Sequence, residues 1–499
     1  MLKLYNTLTE KKESFKADKK VNFFVCGITP YDYSHIGHAK TYVQFDFIVK
    51  YLRFKKYKVF YLQNITDIDD RILEKAKKEK KPWNEISSKY TEIFLQNMQQ
   101  LHVNSISQYA KATDYIPQII NQVKTLIKKG FAYKLEDGYY FNLSKFPEYG
   151  KLSKRTSTAA DDSVTRIDDT KGKKNKGDFC LWKFSKRDEP SWKTDLGEGR
   201  PGWHIEDTAI TEHFFGPQYD IHGGARDLIF PHHEAEIAQM EAASGKKPLV
   251  RYWLHTGFLN VEGTKMSKSL KNFITIEELL KRYNYKVLRF FYVTNNYRKP
   301  MDYREGILEQ TKNSLERIQE FYLNAKGRES SLKKTSIAKT KKEFFAALDD
   351  DFDTPKAFSM LFEFIREANK QGPNHECYLF LKEMNTFLEI LSEEERQSLI
   401  TSTGEDSIFE VKDEKGKVTE TWVLWKEVSD FFESMEKSRH YTIDRATGQI
   451  QFGDGTNGMI PPSEDDNIKE FSYQAGGGKQ GNVKAGEIKS LKSAVVGVD

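Results

Sequence analysis

Hydrophobic and polar positions in the N-terminal part of the chain follow the pattern of strands and helices that alternate along the sequence. Residues 21–26 (VNFFVC) form a short apolar run that ends at Gly27 and predicts a buried strand, and residues 41–52 carry apolar side chains at helical spacing. A second strand is predicted over residues 57–65. Strands that alternate with helices form parallel sheets, which bind ligands at the carboxyl ends of their strands. The pattern therefore predicts an α/β nucleotide-binding core.

The same pattern divides the rest of the chain. From about residue 111 it becomes irregular, and residues 166–176 (RIDDTKGKKNK) read as a charged loop, so we predict an inserted subdomain over residues 111–199. Strand and helix signals resume over residues 200–300. Residues 301–402 carry apolar positions three and four apart and predict a helical bundle. After residue 402, glycines and β-type stretches become frequent, which predicts a β-rich module over residues 403–499.

Composition narrows the class of protein. A chain of 499 residues suggests about three to four domains. It has no apolar run near the roughly 18 to 20 residues of a membrane helix, and it lacks a signal peptide's apolar stretch. The three cysteines, Cys26, Cys180 and Cys377, are too few for a disulfide framework, so we expect a cytoplasmic protein without membrane contact. A net charge of only +5 permits a nucleic-acid partner without arguing for one.

Two short motifs indicate phosphate chemistry. His35 and His38 follow the first predicted strand, where a helix would begin, and the N-terminus of a helix favours anions. Much later come Lys265 and Lys268, within the sequence KMSKS, which can supply mobile positive charge to a phosphate that is transferred or released. Either motif alone is usually incidental. Together and in this order, they predict that both histidines and both lysines serve catalysis on a nucleotide.

These motifs resemble the HIGH and KMSKS signatures of the class I aminoacyl-tRNA synthetases, which match residues 35–38 and 265–269 without a change. Further segments resemble cysteinyl-tRNA synthetase in particular, over residues 1 to about 400: CGITPYDYSHIGHA, NITDIDDRI, DFCLWK, GRPGWHIE, DIHGGARDLIFPHHEAEIAQ and KMSKSLKNF. The resemblance implies a Rossmann-like catalytic core over residues 1–110 and 200–300, with a connective insertion over residues 111–199. It also implies that the bundle over residues 301–402 binds tRNA, since LDDDFDTPKAF resembles a segment of the family's helical domain.

The activity that the resemblance implies is that of a cysteine–tRNA ligase. ATP with Mg²⁺ would activate L-cysteine to cysteinyl-adenylate, and cysteine would then pass to the 3′ end of tRNA(Cys). We expect a monomer. The resemblance places cysteine against Thr66, Trp203 and Asp227, with Asp227 suited to the ammonium group. It places ATP against Gly27, Thr29, His35, Gly37, His38, Lys265, Met266, Ser267, Lys268 and Ser269.

The resemblance also implies one zinc ion per chain, held by Cys26, Asp207, His232 and Glu236. Many family members have cysteine where this chain has Asp207, and the HIEDT sequence around it resembles that of archaeal-type members. Aspartate is a competent zinc ligand, although a site with one thiolate has a harder, less polarisable set of donor atoms than a site with two. Zinc binds thiolate strongly and a neutral hydroxyl poorly, so the ion would select cysteine over serine, which shape alone separates by only about 1 to 3 kcal/mol.

The C-terminal residues 403–499 fall outside this resemblance. They look like part of the baseplate J-like proteins of phage-type contractile injection systems, in place of an anticodon-binding domain. Two alternatives therefore stay open beside the cysteine–tRNA ligase. One is a cysteine-activating ligase with a small amine as acceptor; the other is a structural component of an injection apparatus that carries a synthetase-like domain.

Overall fold

A computed structural model describes residues 2–155, 171–265 and 272–393, and in the C-terminal part residues 408–412, 418–423, 426–428, 430, 434, 440–444, 449–454 and 456–457. The chain separates into two compact units, Met1–Thr401 and Ser402–Asp499. The first half of the predicted charged loop over residues 166–176 lies outside the described residues.

The described part of the first unit alternates strands and helices. Its strands are β1 (Lys3–Asn6), β2 (Lys11–Ser14), β3 (Lys20–Ile28), β4 (Lys58–Ile65), β5 (Gln108–Lys111), β6 (Ala132–Leu135), β7 (Gly138–Phe141), β8 (Cys180–Phe184), β9 (Gly199–Pro201), β10 (Tyr219–Ala225), β11 (Val250–Thr256), β12 (Leu259–Val261), β13 (Thr264–Lys265) and β14 (Met301–Tyr303). Its helices are α1 (Ile36–Phe54), α2 (Asp70–Glu79), α3 (Trp83–Gln100), α4 (Ile116–Lys128), α5 (Ile205–Phe215), α6 (Glu234–Ser244), α7 (Ile276–Arg282), α8 (Tyr285–Val293), α9 (Ile307–Ala325), α10 (Lys334–Leu348), α11 (Thr354–Gln371) and α12 (His375–Leu388).

The predicted parallel-sheet core is confirmed. Five strands pair in parallel in the order β11-β10-β3-β4-β5. The chain leaves β3 toward β4 on one side, whereas β10 and β11 lie on the other, so the order reverses between β3 and β10. In open α/β sheets, such a switch point leaves a crevice at the carboxyl ends of the strands, where ligands bind.

Side chains of β3 alternate between two hydrophobic clusters, one on each face of the sheet. Val21, Phe23 and Val25 belong to the cluster that includes α1, α8 and the bundle α9 to α12. Phe24 and Cys26 belong to the cluster that includes α4, α5 and α6. Because both faces are covered, the strand reads in the sequence as a continuous apolar run and not as an alternating one.

Helix α1 begins earlier than the hydrophobic pattern predicts. It starts at Ile36 and not near residue 41, because His35 is its N-cap and accepts a hydrogen bond at Nδ1 from the Gly37 backbone N–H, 3.1 Å away. The first turn contains Gly37 and His38, which are not apolar, so apolar spacing alone does not reveal it. The HIGH sequence thus occupies the N-cap and first turn of α1.

The remaining parts of the first unit adjoin this core. Strands β6 to β9 form a four-stranded antiparallel sheet, and β12 pairs with β13 and β14 in a smaller one. The helices α9 to α12 share one hydrophobic cluster with α1 and α8. The ion pair between Arg289 and Asp46, 2.9 Å apart and fully buried, fixes α8 to α1, and Arg289 also donates to the Leu388 carbonyl of α12.

The described part of the second unit consists of short strands. β15 (Ile408–Lys412) pairs antiparallel with β16 (Val418–Val423), and a three-stranded sheet contains β17 (Lys426–Glu427), β18 (His440–Asp444) and β19 (Gln449–Phe452). Across the described residues of both units, no helix has the length and apolar character needed to cross a membrane.

Candidate active site

A cavity of about 460 Å³ opens at the carboxyl ends of β3 and β10, at the switch point of the sheet. Most of the site residues predicted from the sequence line it. These are Cys26, Gly27, Thr29, His35, Gly37, His38, Thr66, Trp203, Asp207, Asp227 and His232. Glu236 lies directly behind the wall, within 3.1 Å of His232.

The two histidines of the HIGH sequence form a stacked pair with ring centroids 3.8 Å apart. Nδ1 of His38 accepts from the His35 backbone N–H at 3.3 Å, and Nδ1 of His35 accepts from the Gly37 N–H. Burial lowers the pKa of His35 to about 4 and places that of His38 well below its usual range. Both rings are therefore neutral near pH 7, and the hydrogen-bond pattern assigns the proton to Nε2. They can act as N–H donors to an anion without carrying charge.

The KMSKS sequence is described only in part. Lys265 ends β13, which pairs with β12 through Asn260, and Met266, Ser267, Lys268 and Ser269 lie outside the described residues. The segment that follows the motif returns to α1: the Ile36 N–H donates to the Ile274 carbonyl, and the Phe273 ring lies 5.3 Å from that of His35. The fold therefore brings the sequence after KMSKS against the HIGH sequence.

The four predicted metal ligands converge on one buried point. The Cys26 thiol lies 3.3 Å from Asp207 Oδ2 and 3.8 Å from Glu236 Oε1, and His232 Nε2 lies 3.0 Å from Asp207 and 3.1 Å from Glu236. They come from β3, α5, the turn before α6, and α6 itself. His232 lies in the short π-helical segment Ile229–His233, which continues directly into α6 at Glu234, and it is four residues from Glu236.

This group of donors fits a tetrahedral metal ion. Ligand atoms around a zinc ion with Zn–N, Zn–O and Zn–S distances near 2.0 to 2.3 Å are about 3.3 to 3.8 Å apart, close to the separations seen here. Burial and then the charges of Glu236 and Asp207 raise the pKa of the Cys26 thiol. Burial also raises the pKa of Glu236. Among the described residues, no lysine or arginine pairs with either carboxylate, so a divalent cation would supply the missing positive charge.

A second set of donors shares Cys26 and Glu236, and sequence reasoning missed it. His222 Nε2 lies 3.4 Å and His233 Nε2 lies 3.2 Å from the Cys26 sulfur, and these two with Cys26 and Glu236 also form a compact group. Their Nδ1 atoms are engaged by Tyr219 and His255. The segment DIHGG contains His222, and the segment FPHHE contains His233. Only the pairing of β10 with β3 places His222 next to Cys26.

Asn64 is another functional residue that the sequence did not single out. Its Oδ1 accepts from the Gly27 N–H at 2.6 Å, and its Nδ2 donates to Asp207 Oδ1 at 2.5 Å. The amide thereby holds one oxygen of Asp207 and leaves Oδ2 facing Cys26 and His232. Its position near the carboxyl end of the strand predicted over residues 57–65 was the available signal.

The predicted cysteine-binding residues surround the same point. The Trp203 ring lies over that of His232 with centroids 4.6 Å apart, and the Thr66 hydroxyl donates to Glu206. Asp227 lies in the short turn after β10 and lines the cavity. The nucleotide-type helix end and the buried donor group thus face one another across a single cavity.

Comparison with known proteins agrees with this arrangement. The family of tRNA synthetases class I (C) catalytic domains matches residues 12–313, and the DALR domain family matches residues 343–393. The cysteine–tRNA ligase of Thermoplasma acidophilum is 47% identical over 374 residues, which cover 74% of this chain and 82% of the relative. That of Methanococcus maripaludis is 46% identical over 389 residues, with 74% and 80% covered.

The fold has solved counterparts as well. The structure of Mycobacterium tuberculosis methionyl-tRNA synthetase in complex with methionyl-adenylate superposes with a TM-score of 0.55 at 15% identity, covering 75% of this chain and 89% of that one. At that identity the likeness concerns the fold alone. The family matches span more than half of the chain, and the sequence identity to the relatives is high. This chain belongs to the cysteine–tRNA ligase family of class I aminoacyl-tRNA synthetases.

Proposed function

We propose that this protein is a cysteine–tRNA ligase that forms cysteinyl-adenylate from L-cysteine and ATP and passes cysteine to the 3′ end of tRNA(Cys). One observation carries the proposal: a single cavity is lined both by the N-terminus of the HIGH helix and by a buried thiol, imidazole and carboxylate group. The first half suits the phosphates of ATP, and the second suits a metal that recognises a sulfur atom. Names and identities of the relatives support the same activity.

Adenylate formation needs positioning and charge stabilisation but no side-chain nucleophile. A carboxylate oxygen of cysteine attacks the α-phosphorus of ATP, and the bond to pyrophosphate breaks. His35 and His38 would donate Nε2–H hydrogen bonds toward the phosphates, at the positive end of the α1 helix dipole. Lys265 and Lys268 would bring positive charge to the departing pyrophosphate, whose Mg²⁺ arrives with ATP. Asp227 would hold the ammonium group of the substrate.

The residues proposed to hold zinc are Cys26, Asp207, His232 and Glu236. When bound there, zinc would act as a soft Lewis acid that prefers the sulfur of cysteine to the hydroxyl of serine. Asn64 keeps Asp207 turned with Oδ2 toward this group, and Trp203 covers the His232 ring. A direct bond to sulfur adds discrimination that a pocket of the right shape does not supply by itself.

The acceptor that we propose is tRNA, because the DALR domain match covers the helical region at residues 343–393. We also propose that the enzyme is monomeric and cytoplasmic. The family matches end at residue 393, and residues 403–499 keep a proposal of their own: a separate β-rich module that resembles a baseplate J-like protein and takes the place of an anticodon-binding domain. In that case tRNA charging would be weaker than adenylate formation.

Cysteine-dependent exchange between ATP and pyrophosphate, measured beside charging of tRNA(Cys) on the same zinc-loaded preparation, tests the proposed activity. We expect exchange with cysteine, at least about 10⁴-fold less with serine, and detectable charging. Exchange that no amino acid stimulates would contradict the proposal. Exchange without charging would implicate either the missing anticodon-binding domain or a different acceptor, such as a small amine.

Metal content tests the proposed ligands. We expect about one zinc per chain in the wild type, retention in Asp207→Cys, and loss of most of it in His232→Gln, as measured by elemental analysis after dialysis. Asp220→Asn, which changes a carboxylate at the other end of β10, is the matched control and should keep its zinc. Loss of zinc in His222→Gln together with retention in His232→Gln would assign the metal to the group of His222 and His233.

A further inference from the structure

Lys40 is a buried lysine in the second turn of α1, two residues after the HIGH sequence. Its side chain is 1% exposed. The ammonium group donates to the Gly257 carbonyl at 2.8 Å, to the Tyr297 carbonyl at 3.1 Å and to Gln44 Oε1 at 3.1 Å. No carboxylate in the described residues pairs with it. In its charged form, the group thus uses all three of its protons on uncharged acceptors.

A buried ammonium without a counter-ion is a costly arrangement. Burial lowers the pKa of Lys40 to about 7, and no neighbouring charge contributes. An apolar side chain of similar length would occupy this space without the cost of desolvation. The three hydrogen bonds of Lys40 therefore have a role other than filling space in the core.

The two carbonyl acceptors lie on neighbouring segments outside α1, and Lys40 connects both of them to this helix. Gly257 joins β11 to β12, and Tyr297 lies in the loop before β14, where its carbonyl also accepts from the Gly257 N–H at 2.8 Å. Gln44 is itself fixed by donating to the Tyr292 carbonyl at 2.9 Å. A Cβ atom at Gly257 would lie 2.3 Å from the Lys299 carbonyl oxygen, so these backbones approach as closely as glycine permits.

The junction of Lys40 with Gly257 and Tyr297 lies beside the nucleotide half of the cavity. Gly257, Phe258 and Leu259 line the cavity together with His35 and His38. Leu259 begins β12, and the partner strand β13 ends at Lys265, the first residue of KMSKS. The hydrogen bond from Lys40 to the Gly257 carbonyl, beside that between the Thr41 and Thr256 hydroxyls, therefore connects the HIGH helix to the segment that leads into this hairpin.

We propose that Lys40 is a positioning residue for ATP, which ties the HIGH helix to the segment that lines the nucleotide pocket and leads into KMSKS. The inference rests on the proposed function for the identity of the nucleotide. It predicts an effect on the ATP side of the site and none on the cysteine side, because the described hydrogen bonds of Lys40 go to Gln44, Gly257 and Tyr297 and to none of Cys26, Thr66, Asp207 and His232.

The test compares Lys40→Met with Lys50→Met, a matched loss of a buried lysine from the same helix. Lys50 pairs with Asp46 and Glu389 and lies away from the cavity. ATP affinity is measured by titration calorimetry without cysteine, and the KM values for ATP and cysteine are measured by exchange. We expect Lys40→Met to weaken ATP binding and raise its KM at least tenfold, with the cysteine KM within twofold of the wild type. Lys50→Met should change neither KM and only lower the melting temperature.

An ATP affinity equal to that of the wild type in Lys40→Met, or an equal loss in Lys50→Met, would overturn the inference. If Lys40→Met does not fold, Gln44→Met decides: it keeps the lysine but removes one acceptor, and it should weaken ATP binding by a smaller factor, whereas unchanged ATP binding would overturn the inference. Because ATP binding is measured without the reaction, a wild type that binds ATP but shows no exchange would contradict the proposed function and leave this comparison valid.

Discussion

At the scale of single residues, the surroundings of a side chain decide its chemical form. The HIGH histidines would be partly charged in water near neutral pH, but burial lowers the pKa of both, so they face the cavity as neutral donors. The pKa of the Cys26 thiol changes in the opposite direction, because burial and two carboxylates raise it. Neither residue type nor spacing reveals these shifts.

The lowered pKa of His35 predicts that acid destabilises the fold. Between pH 6.5 and 4 the unfolded chain takes up a proton at this residue and the folded one does not, so the free energy of unfolding falls as the pH falls through that window. His35→Asn retains a capping side chain without an ionisable ring. The drop in unfolding free energy from pH 7 to pH 5, from urea titrations, should be smaller in the variant by at most about 2 kcal/mol. Equal drops in both proteins would contradict this.

At the scale of elements, the end of β3 is where the fold makes the site. The β3–β4 pairing shifts between Val25 and Ile28: three steps along β3 match two along β4. One extra residue of this kind is a β-bulge, which re-aims nearby side chains. Cys26 and Gly27 lie in it, and the Gly27 N–H bonds to the Asn64 side chain, so the bulge sets the position of both the thiol and the Asp207 carboxylate.

A side chain at residue 27 should disrupt this arrangement. A Cβ atom there would lie 1.7 Å from the Asn64 carbonyl oxygen, so the backbone of β3 or β4 must move. We expect Gly27→Ala to lower stability by about 1 to 3 kcal/mol and to reduce zinc content and exchange. Gly245→Asn, at a left-handed helix end with open space around it, is the control and should cost about 1 kcal/mol or less. Gly27→Ala with normal zinc and exchange would show that the bulge tolerates the shift.

At the scale of the whole molecule, the proposed site belongs to one of the two compact units. All the described site residues lie in Met1–Thr401, and the matched families end at residue 393. Within that unit, one hydrophobic cluster runs from β3 through α1 to the helices α9 to α12. The helical region that we propose for tRNA is therefore built onto the HIGH helix.

Removal of residues 402–499 tests this division. We expect the shortened protein to retain cysteine-dependent exchange within about twofold, because the catalytic unit keeps its core and its cavity. Charging of tRNA(Cys) on the same samples reports whether the second unit assists the acceptor. Cys26→Ala in the shortened protein is the negative control and should lose cysteine-dependent exchange. Loss of exchange on shortening alone would show that the second unit supports the catalytic one.

Much of this organisation could be predicted from the sequence. The parallel-sheet core follows from alternating strand and helix signals, and the family follows from HIGH, KMSKS and the segments around Cys26, Asp207 and His232. Local patterns were less reliable at element ends, as at the start of α1, because a capping histidine and a glycine do not register as apolar. The zinc ion and the individual site residues remain proposals that the experiments above decide.

The order of amino acids is enough to identify the reactive groups: a thiol, imidazoles and carboxylates in one set, and histidines and lysines in another. Which of these groups come into contact depends on the fold. His222 reaches Cys26 because β10 pairs with β3, Asn64 reaches Asp207 from β4, and Lys40 reaches Gly257 across more than two hundred residues of sequence. Such contacts depend on strand order and on the packing of α1, and neither can be predicted from a local pattern of side chains.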